Sequence, residues 1–392
     1  MARPAPRRRV RRDPLHRTRM SDSRAALRAA RRVVVKIGSS TLATDEPSAH
    51  ARRESPYDRL ARAVHALRQD GKLVVLVSSG AIALGARKLG YRARPKEMAK
   101  LQASASAGQS LLMRAYEEAF DRVKIPVAQV LLTHADLADR VRANNARAAL
   151  SALLDAGAVP ILNENDAVAI EEIKFGDNDE LSAMVTPLVA ADVLVLLSDV
   201  AGLLDASGER VSVVRDIAAE AVPLIRSGRS GLKKSGVGTG GMASKIEAAR
   251  RATLAGAHVV IADAGKKDVV GRIFAGEDEG TLFLAATRRL PAKKHWIAFT
   301  LRPRGDVWLD AGASAAVRSK GTSVLAVGVA GVRGDFREGD SVRVLALDGT
   351  EIGRGLARCS STDAVLLAGR RDRLGPGDEP GVLIHRDELV VW

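Results

Sequence analysis

The chain has 392 residues, 46% hydrophobic, 27% charged and 3% aromatic; this is enough apolar material for two cores and excludes a disordered or fibrous chain. Its formal net charge of +15 is concentrated at one end, because the first 32 residues hold twelve arginines against Asp13 and Asp22, leaving about +5 for the rest. The body is therefore nearly neutral, and the single cysteine, Cys359, excludes a disulfide framework and a multi-thiolate zinc site and fits a reducing compartment, with the cytoplasm expected.

Residues 1–31 are Arg- and Pro-rich without apolar periodicity. They are expected to form a disordered basic arm, with order starting at Arg32 and with Met20 as an alternative initiator. No apolar h-region of a secretory signal is present in the arm. From Arg32 onward, short β-branched runs alternate with helical patterns. Strands are expected at 33–35, 73–77, 127–132, 159–162, 193–197 and 259–262, and helices at 57–69, from Ala81, and at 106–120, 144–154, 180–190 and 242–255. Strands separated by helices imply βαβ units, so the expected fold is a doubly wound α/β domain over 32–287 with a mostly parallel sheet covered on both faces. The most apolar stretch, Leu181 to Leu204, is broken by Pro187, Asp192 and Asp199. It falls short of the roughly 18 uninterrupted apolar residues of a membrane span, and a soluble protein is expected.

After Thr287 the texture changes. Residues 288–294 read as a basic, Pro-containing linker, followed over 293–392 by a small β-rich module with strands at 324–329, 341–345 and 364–367. No internal repeat is visible.

Open α/β sheets bind ligands outside the carboxyl ends of their strands, and here those ends are polar. Lys36-Ile37-Gly38-Ser39-Ser40 follows the first strand. Ser78-Ser79-Gly80-Ala81 follows the second and opens a helix, whose free amides suit an anion. Each is also ordinary βα turn chemistry when taken singly. Asn163-Glu164-Asn165-Asp166 closes the strand at 159–162, and Phe175-Gly176-Asp177-Asn178-Asp179 precedes the next helix. One of these side chains would suffice as a helix cap. The gathering of several at one sheet edge points to a site that grips the ammonium of an amino acid and orients a lysine or cation. Ser198-Asp199 follows the apolar strand at 193–197, where a nucleotide could pack.

Gly236-Val237-Gly238-Thr239-Gly240-Gly241-Met242-Ala243-Ser244-Lys245 runs into a helix and lets backbone amides approach phosphates. It does not follow a strand, so the dinucleotide fingerprint fails, and Lys245 follows Ser244 rather than glycine, so Walker A fails too. Lys36 and Lys245 together can straddle a transferring phosphoryl group. Lys36 alone would read as a surface residue.

These segments, in this order, resemble the amino-acid kinase superfamily, and within it the bacterial glutamate 5-kinases. The resemblance covers about residues 32–287, and the later module resembles the PUA domain. It implies transfer of the γ-phosphate of ATP to the side-chain carboxylate of L-glutamate, the first step of proline biosynthesis. It further implies Mg²⁺ carried by the ATP phosphates, a homo-oligomer, and proline as feedback inhibitor. Carried over by position, Lys36, Lys245 and Asp177 would be catalytic, with Asp177 orienting the lysines. Ser79, Asn163, Asp166, Asn178 and Asp179 would hold glutamate. Lys36, Ser198, Asp199, Thr239, Gly240, Gly241, Met242, Ala243, Ser244 and Lys245 would hold ATP. Ser198-Asp199 departs from the family's usual Thr-Asp and keeps the hydroxyl. Two alternatives stay open: a sibling kinase acting on another carboxylate or phosphate acceptor, and an RNA-binding protein that uses the arm and the PUA-like module.

Overall fold

The computed structural model describes residues 23–42, 54–168, 178–226, 241–370 and 381–392. The chain divides into two compact units, one comprising residues 1–131, 150–253 and 257–286, the other 132–149, 254–256 and 287–392.

The first unit is built on an eight-stranded sheet. In chain order the strands are β1 (Arg32–Ile37), β2 (Leu73–Ser78), β3 (Val127–Leu132), β4 (Val159–Glu164), β5 (Val193–Ser198), β6 (Val213–Val214), β7 (His258–Asp263) and β8 (Thr281–Phe283). Their order across the sheet is β3-β4-β2-β1-β5-β7-β8-β6. β4, β2, β1, β5 and β7 pair in parallel, whereas β8 runs antiparallel to β7. The central strands are continuous apolar runs because both faces are covered: β5 is buried at all six positions. β1 and β5 are neighbours, and the chain leaves β1 toward β2 on one side and β5 toward β6 and β7 on the other, so their carboxyl ends form the switch point at which such sheets bind ligands.

Side-chain alternation divides the faces. Val33, Val35 and Ile37 of β1 join Leu60, Leu112, Tyr116, Phe120 and Val270 in one core, under the helices Pro56–Gln69, Met98–Asp121 and Val269–Phe274. Lys36 lies between Val35 and Ile37 in the strand, so it projects from the opposite face.

The arm differs from its sequence reading. Residues 23–29 are helical, with Leu27 fully buried in the core just described. Arg24 is 2% exposed. Its Nη1 donates to the carbonyls of Glu277 (3.0 Å) and Glu279 (2.8 Å), and its Nη2 to those of Ser212 (3.1 Å) and Gly280 (3.1 Å) and to Asp278 Oδ1 (3.0 Å). Burial pulls this guanidinium below its ordinary pKa, against the pull of Asp278. The ordered chain thus includes residues assigned to the arm, because one arginine satisfies a ring of carbonyls more than 180 residues away in sequence. Residues 1–22 lie outside the described residues. Arg24→Ala is expected to destabilise this unit by about 2–4 kcal/mol, since it strands several buried acceptors. A chain starting at Met20 keeps Arg24 and is expected to melt like the full chain; thermal denaturation of both checks this.

The second unit holds a five-stranded sheet of order β11-β9-β12-β13-β15 and a two-stranded pair β10-β14, where β9 is Gly305–Leu309, β10 Val324–Leu325, β11 Val329–Gly334, β12 Ser341–Ala346, β13 Glu351–Leu356, β14 Val382–Ile384 and β15 Leu389–Val391. Val307, Leu309, Val342, Val344, Ile352 and Ile384 form its core.

Three expectations are corrected here. The strand expected at 364–367 is a helix, Ser361–Leu367, started by Ser360, whose hydroxyl accepts from the Asp363 amide; Val365 and Leu366 are both exposed, which strand alternation would not allow. The single strand expected at 324–329 is two, because Ala326–Gly328 forms a 3-10 turn. The expected linker at 288–294 runs into a helix, Ala292–Phe299. Cys359 is buried, and burial pushes its thiol up to about 11, which leaves it an inert apolar group at neutral pH.

Candidate active site

Lys36 ends β1 on the face opposite the large core, and its neighbour in the sheet is Val77 of β2 on one side and Leu196 of β5 on the other. It is 4% exposed. A lysine buried between two apolar strands needs a counter-charge. That charge is Asp179, in the first turn of the helix Asn178–Leu188. Asp179 Oδ1 lies 2.5 Å from Lys36 Nζ, and Oδ2 lies 3.0 Å from Lys245 Nζ. Lys245, 5% exposed, stands in the first turn of the helix Met242–Leu254. One fully buried carboxylate thus bridges two lysines that are 209 residues apart in sequence. The two ammonium groups and one carboxylate sum to +1 at a buried position, a field suited to a polyanion.

Beside this bridge lies a polar cluster. Asn178 Nδ2 donates to Ser79 Oγ (2.8 Å), to Asn163 Oδ1 (2.9 Å) and to the Ser78 carbonyl. Asn163 Nδ2 in turn donates to Gln109 Oε1 at 2.9 Å. Ser78 Oγ is 2.9 Å from the Tyr116 hydroxyl, and burial drives that phenol far above its ordinary pKa, so it stays a neutral partner. Across the carboxyl edge the order is therefore Asn163 on β4, Ser79 after β2, Lys36 on β1 and Ser198 on β5. Ser198 donates to Asp199 Oδ1 at 2.9 Å, and Asp199 is exposed beyond the strand end.

Several of the expected site residues converge. Lys36, Lys245, Ser79, Asn163, Asn178 and Asp179 form one connected group. Ser244 Oγ joins it, 3.4 Å from Asp179 Oδ2. Asp166 lies in the turn after β4, partly exposed. Gly241, Met242 and Ala243 begin the helix that carries Lys245. Asp177, Thr239 and Gly240 lie outside the described residues. Asp177 was expected to orient the lysines; among the described residues, the carboxylate that contacts both is Asp179, expected to hold the substrate. Gln109 was missed altogether. It lies inside a 24-residue helix, and nothing local marks a glutamine there as more than a helix former.

The pattern of the amino acid kinase family matches residues 31–263, and that of the PUA domain matches residues 305–373. Among curated relatives, the chain is 45% identical over 384 residues to the glutamate 5-kinase of Trichlorobacter lovleyi, covering 94% of this chain and 98% of that one. It is 44% identical over 380 residues to the glutamate 5-kinase of Geobacter metallireducens, covering 94% and 99%. It is 46% identical over 380 residues to that of Bordetella pertussis, covering 95% and 100%. The family match takes in both lysine-bearing elements, β1 and the helix Met242–Leu254, together with the helix of Asp179 that joins them. With a doubly wound sheet, a β-rich C-terminal unit and this agreement along nearly its whole length, the chain belongs to the amino acid kinase family, in its glutamate 5-kinase branch with a C-terminal PUA domain.

Proposed function

We infer that the chain transfers the γ-phosphate of ATP to the side-chain carboxylate of L-glutamate, giving L-glutamyl 5-phosphate, the first step of proline biosynthesis. The observation that carries this reading is the buried Lys36–Asp179–Lys245 bridge at the β1/β5 switch point, flanked by an amide-rich cluster on the β2 and β4 side.

A carboxylate is already a nucleophile at neutral pH, so the reaction needs no general base. It needs the two anionic partners brought together and their charge neutralised. Lys36 and Lys245 supply that charge, and Asp179 fixes both ammonium groups against one another, with Asp177, outside the described residues, proposed to share in orienting them. In this reading the amino acid lies over β4 and β2, the transferring phosphoryl at β1 and the nucleotide over β5, and the row of polar groups across the sheet edge supports that order. Ser79, Asn163 and Asn178 hold the amino acid, and Asp166 meets its ammonium. Ser198, Asp199 and the loop from Thr239 to Lys245 hold the nucleotide.

Among the described residues, no group of three or more His, Cys, Asp or Glu side chains converges to hold a metal. Asp179 is committed to the lysines. In the proposed reaction Mg²⁺ enters as part of the MgATP substrate, held through phosphate oxygens. Proline competing with glutamate, a homo-oligomer and a cytoplasmic location follow from the family reading. No helix among the described residues is long and apolar enough to cross a membrane. An RNA contact through the arginine-rich arm is supported by its charge alone.

The test is ATP turnover with glutamate, the acyl phosphate being trapped as the hydroxamate by hydroxylamine. Glutamate-dependent hydroxamate formation is expected. ATP turnover with N-acetylglutamate, aspartate, carbamate or a nucleoside monophosphate, and none with glutamate, would select a sibling kinase instead.

A further inference from the structure

Gln109 ends the polar cluster on the side away from the lysines, and its amide orientation is dictated by the backbone. Asn163 Oδ1 accepts from the backbone amide of Glu164 (2.9 Å) and from Asn178 Nδ2 (2.9 Å). A backbone N–H can only donate, so Asn163 must present its oxygen there and its Nδ2 to Gln109. Gln109 must then accept through Oε1, at 2.9 Å. Its Nε2, with two N–H donors, is left buried and without a hydrogen-bond partner among the described residues. The residue is 9% exposed. Native structures rarely leave such a donor unmet, because it has lost water and gained nothing.

The fold holds Gln109 there by a close helix contact. Gly108, its neighbour, packs so tightly that a Cβ would lie 1.8 Å from the carbonyl oxygen of Ala81, and a Cβ at Gly85 would lie 1.8 Å from that of Ser104. The helix Met98–Asp121 therefore touches the helix Ala81–Lys88 backbone to backbone, next to Ser79 and beneath the sheet edge at Asn163.

We propose that Gln109 donates through Nε2 to the α-carboxylate of the amino-acid acceptor, and so determines that the acceptor is an α-amino acid. This rests on the reaction inferred above. The reacting carboxylate must lie at the lysine pair, at the end of β1. β4, to which Gln109 is bonded through Asn163, is separated from β1 by β2. β4 thus lies two strand spacings, about 10 Å, from β1. An extended five-carbon dicarboxylate measures about 5 Å between its carboxyl carbons, and a hydrogen bond of about 3 Å at each end lets it span from Lys36 to a donor beside β4. The group at that end is the α-carboxylate, an acceptor whose bonds to amide donors are charge-assisted.

The test compares wild type with Gln109→Leu, which fills similar volume without donors, and Gln109→Glu, which keeps the oxygen that Asn163 needs but sets a second acceptor where the donor was. Gln109→Leu is expected to raise the KM for glutamate at least tenfold, with kcat within about threefold and the KM for ATP within about twofold; Gln109→Glu is expected to raise it further. The second substrate is 4-aminobutyrate, which is glutamate without its α-carboxylate. The preference for glutamate over it, taken as the ratio of kcat/KM values, should fall at least tenfold in both variants. An unchanged ratio, or equal rises in the KM for glutamate and ATP, would overturn the assignment and leave Gln109 a packing residue. Absence of glutamate-dependent turnover in the wild type would overturn the reaction itself, and this assignment with it.

Discussion

Lys36→Ala and Lys245→Ala are each expected to lower glutamate-dependent turnover by about 100-fold or more, corresponding to roughly 3 kcal/mol of transition-state stabilisation. Both ammonium groups are almost buried and converge on one carboxylate at the strand edge where the phosphoryl group passes. Charge that builds on the transferring group meets them at low local dielectric and without reorganisation. Either replacement leaves Asp179 with one remaining lysine, a neutral pair, so the melting temperature should change far less than the rate. Hydroxamate formation at saturating substrates, together with thermal melts, checks both halves. A variant that kept more than about a tenth of wild-type turnover would remove that lysine from the chemistry.

Asp179→Ala has the larger expected effect on the folded state. It removes the fully buried carboxylate and leaves two buried ammonium groups facing each other. Breaking a buried pair from one side costs about 3–5 kcal/mol, which for a unit of this size lowers the melting temperature by roughly 6–20 °C. Turnover should fall with it, since the lysines lose the group that fixes them. MgATP should raise the melting temperature of the variant more than that of the wild type, because its phosphates supply the missing negative charge. Differential scanning calorimetry with and without MgATP measures this. Equal increments in the two proteins would mean that the phosphates do not reach the lysine pair.

Local pattern carried much of the fold. The β-branched runs at 33–35, 73–77 and 193–197 were legible because a strand buried on both faces must be apolar throughout, and this needs no knowledge of its neighbours. The two shortest strands of the first sheet, β6 and β8, cover two and three residues; that is too short for any period to register, and only pairing with each other and with β7 makes them strands. The run Ala364 to Leu367 shows the same limit from the other side. Four apolar residues fit a strand or a helix turn equally well, and the Ser360 cap decided the matter.

What the sequence determined by itself was the alternation of strands and helices, the change of texture near 287, and the polar residue types at strand ends, since each depends on residues within one turn or one strand. What the tertiary structure decided was which of those polar groups meet. Lys36 faces Asp179 rather than the large core because it sits one position out of phase with Val35 and Ile37, on a strand placed between β2 and β5. Asp179 bridges the lysines because its place in the first helical turn sets its side chain between β1 and the helix of Lys245. Arg24 leaves the expected arm because carbonyls at Ser212 and at 277–280 converge on it. Gln109 joins the site because two glycines let two helices touch. In each case the partner is tens to hundreds of residues away, and long-range pairing of this kind is fixed by strand order and close packing, which local periodicity does not encode.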